Sequence, residues 1–139
     1  MPAAARFQAK MRLTLIDSRV MPQPPPEIVF LAVEWQPRAL IRAQLIEEGW
    51  EVVATSSWQV MRRHLRAGAK PRLAIVDLKD LPDPQSVLRD LRVLMKPERV
   101  LVLSAMGTMP AADIEGLGFR VIPRPFVIEE LVRVVRNVL

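Results

Sequence analysis

The chain has 139 residues, with 20 Lys and Arg against 15 Asp and Glu, a formal net charge of +5, no cysteine and one histidine, and 50% of its residues are hydrophobic. This length suits a single domain with its own core. The missing cysteines exclude disulfides, thiolate metal sites and cysteine nucleophiles, and the lone His64 excludes a histidine cluster. No apolar run approaches the roughly 18 residues that span a membrane, so we expect a soluble, cytoplasmic protein.

The N-terminal segment is more basic than the rest of the chain. Residues 1–26 carry four basic residues and one acidic residue, net +3, whereas residues 27–139 carry 16 and 14, net +2. Four prolines between Pro22 and Pro26 favour polyproline II and indicate a boundary. We therefore predict a basic, proline-rich arm at residues 1–26, with a candidate added strand at residues 12–16, ahead of a domain at residues 27–139. The arm's cations are scattered and no docking motif accompanies them, so we do not expect a nucleic-acid partner.

The first half of the domain alternates between strand and helix patterns. The apolar run at residues 28–33 is typical of a strand that is buried on both faces. A helix is predicted next, because apolar residues recur at helical spacing after Pro37 and before Gly49: Ala39, Leu40, Leu45 and Ile46. Residues 50–54 read as the second strand.

The second half repeats the same alternation. A helix at residues 57–67 leads to a buried strand at 73–76, which ends at Asp77, and a helix at 86–95 leads to a strand at 100–103, which ends at Ser104. A short helix at 111–117, a strand at 119–122 and a helix at 129–139 complete the chain. Buried strands that alternate with amphipathic helices indicate an α/β fold with a parallel sheet covered on both faces.

Polar side chains follow the predicted strands at the points where ligands of such sheets collect, beyond the carboxyl ends. They are Glu34, Asp77, Ser104 and Arg124, together with the aromatic Trp35. An acid, a hydroxyl and a cation that converge on Asp77 suit a phosphoryl group bound to that carboxylate. A salt bridge between Asp77 and Arg124 that closes the end of the sheet explains the same residues equally well. Glu34 and Asp77, about one strand apart, could also ligate a divalent cation.

The sequence from residue 27 to residue 139 resembles the receiver domain of bacterial two-component response regulators. The matching segments occur in family order: IVFLAVEWQP at 28–37, GWEVVA at 49–54, LAIVDL at 73–78, VLVLSA at 100–105 and PRPFVIEEL at 123–131. The resemblance implies a doubly wound (βα)5 fold, three-layered, with strand order 2-1-3-4-5. It also implies that Asp77 is the phosphoacceptor position, Ser104 the conserved hydroxyl, Arg124 the position of the family's lysine, and Pro125 the family's cis-proline.

Three departures from the family pattern affect the chemistry at Asp77 or the conformational change that follows phosphorylation. The family's two adjacent acids are Glu34 and Trp35 here, so we expect Glu34 and Asp77 to bind Mg²⁺ weakly, and we expect no required cofactor. The family's lysine is Arg124, whose planar fork differs from a compact ammonium. The family's switch aromatic is Val121, which has no ring to report movement of Ser104.

These departures predict a degenerate receiver, a stand-alone signalling module that acts mainly by protein–protein interaction with impaired or absent phosphorylation. The partner would be a sensor kinase or a downstream effector, with Trp35, Val121 and Arg133 as contact residues. A homodimer through the fourth helix, the last strand and the last helix is also predicted. No enzyme activity is expected beyond phosphorylation and dephosphorylation at Asp77. The alternative is a functional phosphoacceptor that uses Mg²⁺ at Asp77. A nucleic-acid-binding accessory protein, suggested by the +5 charge, is the third class.

Overall fold

The computed structural model describes residues 26–139, so the arm at residues 1–25 and the strand predicted at 12–16 lie outside the described residues. The elements are β1 Ile28–Leu31, α1 Trp35–Glu47, β2 Val52–Thr55, α2 Trp58–Arg66, β3 Leu73–Asp77, α3 Pro84–Leu94, β4 Val100–Leu103, α4 Ala111–Gly116, β5 Arg120–Ile122 and α5 Ile128–Val138, with a 3₁₀ turn at Pro97–Arg99. No helix of this described part is long and apolar enough to cross a bilayer.

The five strands form one parallel sheet in the order β2-β1-β3-β4-β5, which confirms the predicted doubly wound α/β fold. The central strands are in close register, with Leu31 of β1 opposite Val76 of β3, and Asp77 of β3 opposite Leu103 of β4. The carboxyl ends of β1, β3 and β4 therefore meet at one edge of the sheet. The residues that follow these strands are brought together there.

Strand periodicity divides the core into two layers, one on each face of the sheet. Val29 and Leu31 point to the face covered by α2, α3 and α4, whereas Ile28 and Phe30 point to the face covered by α1 and α5. The central strands are buried along their whole length because both faces are covered. The predicted three-layer architecture is confirmed.

Helix α1 forms where the apolar spacing predicted a helix, but it buries only part of that pattern. It begins at Trp35, so Pro37 lies in the first turn. Backbone N–H groups there have no intrahelical acceptor, so a proline costs no hydrogen bond. The residues that α1 buries are Ile41 and Leu45, whereas Leu40 is 64% exposed and Ile46 is 42% exposed. Of the four residues whose spacing predicted the helix, Leu45 is buried, whereas Ala39, Leu40 and Ile46 are exposed, because one residue along a helix turns a side chain by about 100°. As a result, α1 presents apolar side chains outward.

Candidate functional site

Asp77 is a buried carboxylate at the carboxyl end of the central strand β3. Its relative exposure is 1%, and it is the one buried polar or charged residue within residues 26–139. The four residues before it in β3 are apolar and fully buried, so the chain reaches the edge of the sheet with the carboxylate still enclosed. A charged group in such a position requires a compensating partner.

Arg124 supplies that compensation from the loop between β5 and α5. One terminal nitrogen of its guanidinium lies 2.7 Å from Asp77 Oδ1, and the other lies 2.5 Å from Oδ2, so the contact is bidentate. The backbone N–H of Lys79 donates a third hydrogen bond to Oδ1 at 2.9 Å. Of the two arrangements that the sequence left open, the structure shows the salt bridge that closes the end of the sheet.

Arg124 is itself fixed by further contacts. Nη1 donates to the backbone carbonyl of Ser104 at 2.9 Å, which joins the ends of β3 and β4 to the last loop. The guanidinium carbon lies 5.6 Å from the centroid of the Phe126 ring, within cation–π range. The peptide bond between Arg124 and Pro125 is cis, as the resemblance implies. The side chain is therefore held on Asp77 from several directions.

Ser104 lies at the same edge, directly after β4, and is half-buried. Its backbone N–H donates to the carbonyl of Ile122 on β5 at 3.1 Å, and its carbonyl accepts from Arg124. Its hydroxyl forms no hydrogen bond with any residue of the described range. The structure thus brings Asp77, Ser104 and Arg124 together, with the arginine between the other two.

Glu34 follows β1 but is engaged away from the carboxylate of Asp77. Its Oε2 lies 3.2 Å from Nζ of Lys79, and the two side chains are 39% and 47% exposed. Lys79 was not predicted as a site residue from the sequence, although a cation two residues after Asp77 was a visible signal. Lys79 therefore contacts both acids, one through its side chain and one through its backbone N–H.

The turn that carries Glu34 and Trp35 is held by Arg38, a second residue that was not predicted. Nη1 of Arg38 donates to the carbonyls of Ala32 at 2.8 Å and Val33 at 3.0 Å. These carbonyls follow the last residue of β1, so the arginine satisfies backbone acceptors at the carboxyl edge. The first turn of α1 thereby keeps a fixed position beside the site.

The residues around Asp77 do not fit a Mg²⁺ site in this arrangement. Both oxygens of Asp77 accept from Arg124, Glu34 is paired with Lys79, and the position of a second acid is Trp35. No group of three or more His, Cys, Asp or Glu residues in the described part of the chain could hold a metal ion. Asp80 and Asp83, in the loop after β3, are exposed and adopt left-handed backbone angles, φ +59° and +49°. Asp tolerates this conformation, so these residues serve the loop's turns.

The three predicted contact residues lie in different surroundings. Trp35 begins α1 at the edge of the site and is 69% exposed. Val121 is half-buried in β5 and packs against the core layer beneath α2, α3 and α4. Arg133 is exposed on α5 and lines a groove of about 370 Å³ between α1 and α5, where Arg136 also pairs with Glu48. The structure thus places Trp35 at the same edge of the sheet as Asp77, and Arg133 on another surface.

Solved structures with the same fold are receiver domains of response regulators. The described architecture is similar to the response regulator receiver protein from Sinorhizobium medicae WSM419, at 21% identity and a TM-score of 0.65 over 80% of this chain and 91% of that one. It is also similar to the signal receiver domain of a putative LuxO repressor protein from Vibrio parahaemolyticus, at 20% identity and a TM-score of 0.70 over 82% and 89%.

A third similar structure is NtrX from Brucella abortus, at 24% identity and a TM-score of 0.69 over 83% of this chain but 26% of that one. The chain thus corresponds to about a quarter of NtrX. No protein-family model matches the sequence, and no curated protein matches it. The likeness at these identities establishes the receiver fold.

Proposed function

We propose that this protein is a receiver-like module of bacterial two-component signalling that acts by protein–protein contact, with Asp77 withheld from phosphoryl transfer by Arg124. The observation that carries the proposal is the bidentate pair, in which each carboxylate oxygen of Asp77 accepts from the guanidinium at 2.7 Å or less. The receiver fold of the similar structures supplies the context of two-component signalling.

The pair opposes phosphorylation for two physical reasons. The guanidinium donates to both carboxylate oxygens at once, which lowers the nucleophilicity of each oxygen and places a bulky cation where a phosphoryl group would have to approach. Moving Arg124 aside would leave a carboxylate that is 1% exposed without its cation, which costs several kcal/mol. A lysine could release one oxygen while still neutralising the other, because its ammonium is a compact point charge.

The contact surface that we propose for the partner begins at Trp35. This side chain is 69% exposed at the edge of the site, and Leu40 and Ile46 are exposed on the same helix. Large aromatic side chains at exposed positions are the residues that most often anchor protein interfaces. A sensor kinase or a downstream effector is the class of partner that the receiver fold suggests.

A functional phosphoacceptor is the second candidate. It is favoured by the hydroxyl of Ser104, which has no partner in the described range, and by Arg124, which is 24% exposed and has room to move toward solvent. In this case Asp77 would be phosphorylated after the guanidinium leaves.

Treatment with a small acyl phosphate and Mg²⁺ separates the two candidates, with intact-mass measurement as the readout. We expect no phosphoryl adduct on the wild-type chain, and no shift of amide NMR signals near Asp77 when beryllofluoride and Mg²⁺ are added. The Arg124→Lys variant should gain a labelled fraction, since it keeps the charge and releases an oxygen. A stable adduct on the wild-type chain that disappears in Asp77→Asn would overturn the proposal and support the second candidate.

A further inference from the structure

The charges of the domain are segregated in a way that its net charge conceals. Residues 58–72 and 84–99, which include α2, α3 and the turns after them, contain nine basic residues and two acidic ones. The rest of residues 27–139 contains seven basic residues and twelve acidic ones. These two segments therefore carry a net charge of +7 and the rest of the domain −5, including the two acids of α4 on the same side of the sheet, Asp113 and Glu115. We call the nine cations the basic face: Arg62, Arg63, Arg66, Lys70, Arg72, Arg89, Arg92, Lys96 and Arg99.

The cations of the basic face have no partners within the described part of the chain. Arg62 is half-buried, and the other eight are exposed. The ion pairs among residues 26–139 all lie elsewhere: Lys79 with Glu34, Arg124 with Asp77, and Arg136 with Glu48. Like charges on one surface repel one another, so their accumulation does not stabilise the fold. An external anion is the partner that would offset the repulsion.

The basic face is continuous and lies away from Asp77. Helices α2 and α3 are in contact on the same face of the sheet. A groove of about 300 Å³ beside their carboxyl ends is lined by Lys70, Lys96 and Arg99 over an apolar floor that includes Leu65. The segments that carry these cations lead into the amino ends of β3 and β4, whereas Asp77 lies at the carboxyl edge. The groove is therefore at the opposite edge of the sheet from Asp77.

The chemistry of the basic face favours phosphates over a protein or a lipid surface. Its one strongly exposed large apolar residue is Val93, at 85%. Protein interfaces have cores depleted in charge and anchored by aromatic or large apolar residues, which this surface lacks. An amphipathic helix that lies in a membrane surface pairs its cations with an apolar face that enters the headgroup region, and the basic face has no such apolar part. Arginine forks and lysine ammoniums are what phosphate oxygens require, and seven of the nine cations are arginines.

We propose that the basic face binds the phosphate backbone of duplex DNA without reading base sequence. Its exposed side chains include no Trp, Tyr or Phe on which single-stranded bases could stack, since Trp58 is half-buried against the core. Helix α3 is about 16 Å long, enough to follow several phosphates along one strand. The sequence alone did not favour a nucleic-acid partner because the domain is nearly balanced in charge, and the segregation becomes visible only in the fold.

The test is fluorescence anisotropy with two unrelated duplexes of about 20 base pairs, using the full chain. We expect equal affinity for both duplexes and a fall in log K with log salt of about 0.9 per phosphate contacted. The variant Lys70→Glu/Lys96→Glu should weaken binding about tenfold or more. The control Arg42→Glu/Arg120→Glu makes the same change in net charge at exposed positions outside the basic face and should change affinity less than about twofold.

Each other outcome overturns the proposal. Equal losses of DNA affinity in the two variants would mean that net charge, and not this surface, attracts DNA. The arm at residues 1–26 is unchanged in both variants, so its contribution to affinity is the same in each. Tighter binding to single-stranded DNA, or to vesicles of anionic phospholipid, would show that the basic face binds those ligands instead. Absence of duplex binding at low salt would show that the basic face is not a DNA-binding site. Both variants are first shown by circular dichroism to be folded. Asp77→Asn should leave DNA affinity unchanged, so this proposal and the proposed signalling function fail independently.

Discussion

Arg124 and the arginines of the basic face are the same residue type in opposite surroundings. Arg124 is 24% exposed and contacts Asp77 twice and Ser104 once, whereas Arg99 on the basic face is exposed and pairs with no described residue. The first cation compensates a buried charge and holds the end of the sheet together. The second contributes nothing to the interior, so its charge is free to act on something outside the molecule.

The difference follows from where each arginine lies in the fold. Arg124 lies in a loop at the carboxyl edge, where β3 ends in an enclosed carboxylate. The arginines of the basic face occupy outward positions of α2 and α3 and of the turns after them, while the inward positions of these helices are apolar, such as Met61 and Leu88. Cation position, more than cation number, decides between a structural and a binding role.

The largest expected effect is on the buried pair. Replacing Arg124 by Met should lower the free energy of unfolding by about 3–5 kcal/mol, because the carboxyl group of Asp77 would lose its cation at 1% exposure and retain one backbone donor. Asp77→Asn should cost less, since the freed guanidinium is already 24% exposed and can be hydrated. Urea unfolding measures both. Equal stability of Arg124→Met and the wild-type chain would show that the pair does not compensate Asp77.

The double variant Asp77→Asn/Arg124→Met should recover most of that loss. Removing both charges eliminates the desolvated carboxylate and its requirement for a cation, and the side-chain oxygen of the introduced asparagine can still accept from the N–H of Lys79. We expect a stability within about 1 kcal/mol of the wild-type chain, so that the two changes are strongly non-additive. A double-mutant cycle in urea measures the coupling, and additive losses would contradict it.

The pair of Lys79 and Glu34 is an intermediate case, because it is formed but about half exposed. Lys79→Ala should lower the free energy of unfolding by at most about 1 kcal/mol, and raising the salt concentration should reduce the difference. The backbone N–H that donates to Asp77 is unaffected by this change. A loss as large as that of Arg124→Met, independent of salt, would show that the side chain of Lys79 also stabilises Asp77.

The smallest expected effect is on the basic face. Arg92→Gln should change the free energy of unfolding by less than about 0.5 kcal/mol, because the side chain is exposed and unpaired within the described chain. Loss of a favourable charge in the last turn of α3 and relief of repulsion from its neighbours oppose each other. Thermal unfolding of Arg92→Gln and of Arg124→Met under the same conditions measures the difference between their losses of stability. A loss above about 1 kcal/mol would give Arg92 a structural role.

Much of the candidate site could be predicted because it lies at strand ends. The buried run that ends at Asp77, the run that ends at Ser104 and the segment around Arg124 each carry a local signal, and a parallel sheet brings such ends together. Lys79 was not predicted, because a loop cation becomes informative only when its distance to Glu34 is known. The burial of Ile41 beside Leu45, with Leu40 and Ile46 exposed, was not predicted, since apolar residues occur on more than one side of α1 and packing decides which side is buried.

The parallel α/β sheet, the resemblance to receivers and the set of residues at the carboxyl edge could all be predicted from the sequence. These follow from periodicity and order along the chain, which are local properties. Two features emerge only from the folded structure. Arg124 donates hydrogen bonds to both oxygens of Asp77, and nine cations lie on one side of the sheet. Both depend on distances between residues far apart in sequence, because Coulomb interactions are set by separation and burial and not by the count of charges.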